Sequence, residues 1–256
     1  MRRYLPSRRP VSEVFEPYGP LDTLKPIDQD VWIVDGPEIR FNYFGLSLPF
    51  PTRMTVIRLP DRGLWIHSPI ALSEALAHRI VEAGEVSSLV APNTLHYWWV
   101  ADWKSKFPDA KVFAVPGLEE RAKRYVPVDE ALRDSPPQNW AGLIDQILVR
   151  GDVLTEAVFF HRNSRSLVLT DLIENFEPRR IRKPAYRLFL RLFGVTDPDG
   201  KAPFDMQLTF WRHRKALRAA VEQMLAWNPE RIIIAHGRIY ERDGTPELRR
   251  AFRWVL

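Results

Sequence analysis

The chain has 256 residues, 45% hydrophobic and 27% charged, with a net charge of +5 at pH 7, an ordinary balance for a globular protein with a sizeable core. It contains no Cys, which excludes disulfides, thiolate metal sites and a cysteine nucleophile and fits a reducing compartment. No run of about 20 apolar residues offers a membrane span, and the basic start MRRYLPSRRPVSEVF lacks the apolar core of a secretory signal, so the expected location is the cytoplasm.

Residues 1–26 are rich in Pro and Arg and predict an irregular arm, with one domain over 27–256. DVWIVDG, Asp30 to Gly36, reads as a short apolar strand, and MTVIRL and GLWIHS read as a hairpin turned by Pro60, Asp61, Arg62 and Gly63. After Pro69 the period changes. ALSEALAHRIVEAGE is an amphipathic helix with Ser73 and Glu74 at its start and Gly84 at its stop.

VSSLVAP is a buried strand, HYWWVADWKSKFP a helix ended by Pro108, KVFAVPG a strand and LEERAKRY a helix. Residues 126–141 form a long loop. IDQILVR, TEAVFF and SLVLTD are successive strands, the last two joined at Asn163 and Ser164. A helix runs from Trp211 to about Trp227, RIIIAHG is the closing strand, and GTPELRRAFRWVL is a terminal helix with Thr245 as its cap. The order is β-rich, then βαβα, then β-rich, then αβα. It predicts an α/β (α+β) fold: a four-layer αββα sandwich of two mixed sheets with helices outside.

Three buried strands end on polar loops, the usual place for chemistry in such a fold. The first loop carries Asn93 and His96, the second Asp171 and the third His236. Each His binds a metal or is a buried imidazole bonded to a loop carbonyl, and Asp171 is a ligand or a cap for backbone N–H groups. Tyr97 presents its hydroxyl to a cleft or packs. His161, His78 and His213 are expected to be solvent-facing. Nine Trp and fourteen Phe predict aromatic packing around the cleft.

The order of these motifs resembles the metallo-β-lactamase superfamily of metallo-hydrolases. The phrases LKPIDQDVWIVDGP, FPTRMTVIRL, WIHSPIALS, APNTLHYWWVADWK and LVLTDLIENF resemble, more closely, the uncharacterised DUF4336 family. The superfamily signature is HxHxDH. The resemblance places His96 on its last His, Leu95 on its Asp, Asn93 on its second His and Ala91 on its first. It implies Asp171 as the bridging Asp, His236 as the final His, Asp152 or Glu156 near the turn RGDVLTEAVFF, and His67 where an early strand normally ends in Asp.

The resemblance therefore implies a reduced site. His96, Asp171, His236 and Asp152 are its metal ligands, with His67, Asn93, Glu156 and Tyr97 as further cleft residues. One zinc or iron ion, or none, is expected. The general base is unassigned, and the small-molecule substrate and the oligomeric state stay open. Two other readings stand beside a metallo-hydrolase: an inactive binding protein on the same scaffold, and a peripheral membrane protein docking through residues 178–194. There Arg179, Arg180, Arg182, Lys183, Arg187 and Arg191 accompany apolar side chains. No nucleic-acid module stands out.

Overall fold

In the structure, a computed structural model, residues 14–43 and 46–256 are described. Strands β1 (Lys25–Asp28), β2 (Val31–Tyr43), β3 (Leu46–Arg58) and β4 (Gly63–His67) pair antiparallel in that order. β2 outruns the short strand expected at 30–36. Its register shifts between Gly36 and Ile39, and that irregularity absorbs Pro37, which has no N–H to give the ladder. The β3–β4 turn forms as expected, with Arg62 at φ 70° and the Gly63 N–H on Asp61 Oδ1 at 2.9 Å.

Helix α1 (Glu74–Ala83) carries its predicted caps: Ser73 Oγ accepts from the Leu76 N–H at 3.1 Å, and the Gly84 N–H reaches the Ile80 carbonyl. Ser73→Ala should cost about 1 kcal/mol in urea denaturation, the usual worth of such a cap. An unchanged midpoint would mean that neither the cap nor the Ser73 bond to Asp22 contributes to stability.

β5 (Glu85–Ala91), β6 (Lys111–Ala114) and β7 (Glu130–Ala131) extend the sheet in parallel. Between them lie α2 (Val100–Lys106) and α3 (Leu118–Arg121). Both helices are shorter than their sequence patterns. Asn93 Oδ1 takes the N–H groups of Leu95 and His96, so the backbone turns there and the helix waits until Val100. α3 stops because Lys123 gives its N–H to the Tyr97 hydroxyl at 2.8 Å, a tertiary bond that outbids continued helix.

The second sheet has the order β11–β10–β9–β8. β8 (Ile144–Arg150), β9 (Thr155–His161) and β10 (Ser166–Val168) are antiparallel neighbours, and β11 (Arg231–Ile233) joins β10 in parallel. The remaining helices are α4 (Pro184–Leu192), α5 (Phe204–Thr209), α6 (Arg214–Ala226) and α7 (Gly244–Ala251). α1 and α2 pack on β5, α6 on β8 and α7 on β11, so helices cover the outer faces. Trp65, Phe113, Trp140 and Phe159 interlock between the sheets, with Phe113–Trp140 centroids 4.6 Å apart and Trp65–Phe159 5.0 Å apart. This is the expected αββα sandwich.

Three local readings are corrected. His161 is 2% exposed and bonds Ser164 Oγ through Nδ1 at 2.8 Å; as a β9 residue it lies inside the sandwich. Thr245 does not cap α7, because its hydroxyl donates to Asn228 Oδ1 and the Pro229 carbonyl. Residues 174–209, expected from the sequence to be the least regular large segment, contain α4 and α5. Of the expected arm, residues 1–13 lie outside the described residues, while Val14 and Phe15 are buried with Phe176, Ile181, Leu190 and Val195 in a second apolar cluster.

Candidate metal centre

β5 in one sheet and the adjacent β10 and β11 in the other all run out at the same end of the sandwich. The loop after β5 therefore faces the loops after the other two. The Ala157 N–H donates to the Pro92 carbonyl at 2.8 Å, which ties the second sheet to the turn that carries Asn93 and His96.

His96, Asp171 and His236 meet there. Their Nε2 atoms lie 3.2 Å apart, His96 Nε2 is 3.3 Å from Asp171 Oδ2, and His236 Nε2 is 3.5 Å from Asp171 Oδ1. Each ring is held by its other nitrogen. His236 Nδ1 is 2.8 Å from the Pro51 carbonyl oxygen, which only accepts, so Nδ1 carries the proton and Nε2 a lone pair. His96 Nδ1 is 2.6 Å from Ser68 Oγ, and Ser68 Oγ is 3.4 Å from the Arg53 carbonyl. A hydroxyl that donates to that carbonyl accepts from Nδ1–H, and the His96 Nε2 lone pair then also faces inward.

Asn93 is fully buried and organises the loop. Its amide Nδ2 donates to Asp171 Oδ2 at 2.6 Å, Thr170 Oγ1 at 2.8 Å and Glu156 Oε2 at 3.3 Å. It orients Asp171 from behind instead of joining the donor set. Glu156 lies behind the same carboxylate and accepts the backbone N–H groups of Thr170 and Asp171 at 2.7 and 2.9 Å.

Charge follows the geometry. Burial pulls the His96 imidazole down, but the Asp171 and Glu156 carboxylates outweigh it and leave its pKa raised. Burial pushes Asp171 up, yet the charge of the neighbouring His96 outweighs it and holds the carboxyl below the usual carboxylate range. Glu156 is pushed up to about 7, first by burial and then by Asp171. Glu174 is raised well above its ordinary value by burial and by the charges of Asp171, Asp205 and Glu156.

The other expected residues stand apart. Asp152 is at the tip of the β8–β9 hairpin, where its Oδ1 meets His213 Nε2 at 3.0 Å in a half-exposed pair. Register explains this: Arg150 pairs with Thr155, so residues 151–154 project past the sheet, and Glu156 is the first acidic residue carried inward. Tyr97 packs, its hydroxyl bonded to the Lys123 N–H. His67 is stacked on Trp65 at 5.4 Å with Nε2 buried and unbonded among the described residues. Burial and the His96 charge push it down to about 3, so it is a neutral wall residue at neutral pH.

Several residues of the site carry no signal in the sequence. Ser68, Thr170 and Glu174 sit in ordinary strand-end phrases. Arg53 is a buried strap: its Nη1 donates to the carbonyls of Ile234 and Gly237 at 2.9 and 2.6 Å, and Nη2 pairs with Asp35 at 2.8 Å. Phe50 and Phe176 wall the His236 ring at 5.2 and 6.4 Å.

The donor set fits a divalent ion. A tetrahedral ion with bonds of about 2.0–2.1 Å sets neighbouring ligand atoms about 3.3–3.4 Å apart, close to the spacings above. Two imidazole lone pairs and a carboxylate oxygen that point at one another repel unless a proton or a cation lies among them.

Solved structures share the fold. The fold matches DIM-1 metallo-β-lactamase, in a crystal structure exposed to ceftazidime, with a TM-score of 0.61 at 16% identity over 95% of this chain and 98% of that one. The chain has the metallo-β-lactamase fold. The enzyme from Hirschia baltica matches with a TM-score of 0.57 at 14% identity, over 91% of this chain and 97% of that one. FIM-1 from Pseudomonas aeruginosa, in its mono-zinc form, matches with a TM-score of 0.59 at 14% identity, over 91% and 94%. Residues 30–119 match the family described as Domain of unknown function (DUF4336). No curated protein matches the chain. Identities this low establish the metallo-β-lactamase fold and leave the reaction to the site itself.

Proposed function

We propose that the chain is a metal-dependent hydrolase with a single-ion centre held by His96, Asp171 and His236. The observation that carries this reading is the inward convergence of two imidazole nitrogens and a carboxylate at 3.2–3.5 Å. Both rings are locked by hydrogen bonds on their far nitrogens, the arrangement that fixes metal-binding His. With Ala91, Asn93 and Leu95 in place of the remaining signature ligands, the donors suffice for one ion with an open position. Zinc or iron suits two imidazoles and a carboxylate. A bound ion would lower the pKa of a coordinated water and polarise the scissile group.

The protein's own groups supply the rest. Asn93 fixes the Asp171 carboxylate, and Ser68 and Pro51 fix the rings. The mono-zinc state of the FIM-1 enzyme shows one ion on this fold in that protein and favours the one-ion reading here.

Thermal unfolding tests the proposal. His96 and Glu156 have raised pKa values in the fold. Their contribution to the metal-free protein is present below the unfolded values of about 6.5 and 4.3 and is lost as pH rises through the folded values. The metal-free protein should therefore lose stability as pH rises from about 5 through 7, the folded Glu156 value, with His96 adding to the loss above about 6.5. Zinc must displace the His96 proton, so its stabilisation should grow over the same interval. At a hundredfold excess over Kd it should reach about 2.7 kcal/mol. A zinc and iron response of zero, or one unchanged in a His96→Ala/His236→Ala variant, would sink the proposal.

A further inference from the structure

The outer face of α4 has the wrong chemistry for water. Leu190 is buried against the body, and Tyr186, Phe189 and Phe193 pack around the second apolar cluster. Leu188 and Leu192 lie two residues to either side of Leu190, about 200° around the helix, so they face outward. They are 58% and 75% exposed. A surface helix normally places charge on that face.

The ridge continues onto the next elements. The Phe204 N–H donates to the Phe193 carbonyl at 3.2 Å, which sets the start of α5 against the end of α4. Phe204 and Leu208, one helical turn apart, are 60% and 57% exposed, and Trp211 is 74% exposed. Half of the ten exposed large apolar residues among the described residues fall between 188 and 211.

Positive charge rims this ridge. No acidic residue occurs between Pro178 and Thr196, a stretch with Arg179, Arg180, Arg182, Lys183, Arg187 and Arg191. Arg179 and Arg180 are turned toward Glu177, and Arg187 and Arg214 donate to the Ile181 and Trp254 carbonyls, which leaves their charge in place. Arg187 and Arg191 flank the leucine ridge, Arg212, Arg214 and Lys215 follow Trp211, and Asp197, Asp199 and Asp205 are the acidic residues between the two groups.

We propose that α4, α5 and Trp211 form a docking surface for an anionic lipid bilayer. Leu188, Leu192, Phe204, Leu208 and Trp211 would enter the interface while the arginines meet lipid phosphates. The apolar groups crown short helices and do not line a groove, which suits a fluid surface better than a folded partner, and a flanking basic rim selects anionic headgroups. Attachment would be peripheral, since no helix among the described residues is long and apolar enough to cross a membrane. Such a surface goes beyond the hydrolase reading and is independent of the metal.

Co-sedimentation of the full chain with phosphatidylcholine vesicles, with and without phosphatidylserine, tests this. Binding should require phosphatidylserine and weaken in high salt. Leu188→Gln/Leu192→Gln/Trp211→Gln should lower the partition coefficient about tenfold or more. Arg191→Gln/Arg212→Gln should lower it and flatten the salt dependence. Because all these side chains are exposed, both variants should keep the parent urea midpoint. Failure to sediment with phosphatidylserine vesicles would overturn the proposal. So would full binding by the apolar variant, which would mean simple adhesion to polyanions, or capture on heparin without capture on vesicles.

Discussion

Gly237→Ala should cost more than about 4 kcal/mol in urea denaturation, in the range where a single substitution disables a fold. Gly237 has φ +95°, a conformation that L side chains rarely adopt. A Cβ there would lie 2.0 Å from the Asn175 carbonyl oxygen and 2.3 Å from its carbon. Neither is a flexible side chain that could swing away. The Asn175 backbone is bound on both sides of this contact, its N–H on the His236 carbonyl at 3.1 Å and its carbonyl on the Arg238 N–H at 2.8 Å. Relief must move the loop that presents His236, so metal content should fall with stability. Gly142 is the control: it has φ +81° with nothing within 4 Å of a Cβ, and Ala there should cost only the backbone term of about 1–2 kcal/mol. Equal costs at the two positions would show that conformation and not the close approach governs Gly237.

Arg53→Met should be the next most damaging change, at about 3–5 kcal/mol, the usual consequence of leaving a buried ionic partner behind. Arg53 and Asp35 are direct cross-strand partners on β3 and β2, both nearly fully buried. The same guanidinium reaches across to the carbonyls of Ile234 and Gly237, so it joins the first sheet to the loop after β11. Asp35 keeps Lys25 at 2.8 Å, which softens the loss without restoring the carbonyl contacts. In a double-mutant cycle, Asp35→Asn with Arg53→Met should be less destabilised than the sum of the singles, because the second change removes the charge stranded by the first. Strict additivity would show that the two residues act independently.

The fold was legible where periodicity and turn chemistry agree. Ser73 and Gly84 bracket α1 as their types require, and the three apolar runs leading to Asn93, Asp171 and His236 were visible, although β10 and β11 stop earlier, at Val168 and Ile233. His96, Asp171 and His236 could be placed from those ends and from the family resemblance. What stayed hidden depends on contacts between distant segments. The Asn93 amide delays α2, and nothing in NTLHYWW marks that. The sequence put Asp152 among the ligands and Glu156 only among the cleft residues, but the β8–β9 register carries Glu156 inward and leaves Asp152 at the hairpin tip. His161 looked exposed beside its turn, but strand pairing places it inside. Ser68, Arg53 and Glu174 become part of the site only because the two sheets face each other. Which apolar face of α4 meets the body was also hidden, because amphipathic counting alone does not choose between Leu190 and the exposed Leu188 and Leu192.

Metal content tests the central claim most directly. The untagged protein would be purified without chelator beside a His96→Ala/His236→Ala variant, and both measured by inductively coupled plasma mass spectrometry after incubation with zinc or iron(II) and gel filtration. The account predicts about one equivalent of metal in the parent, from a single three-residue donor set, and essentially none in the variant. No metal in the parent, or the same content in both, would contradict it and leave a proton on His96 as the charge that holds the three side chains together.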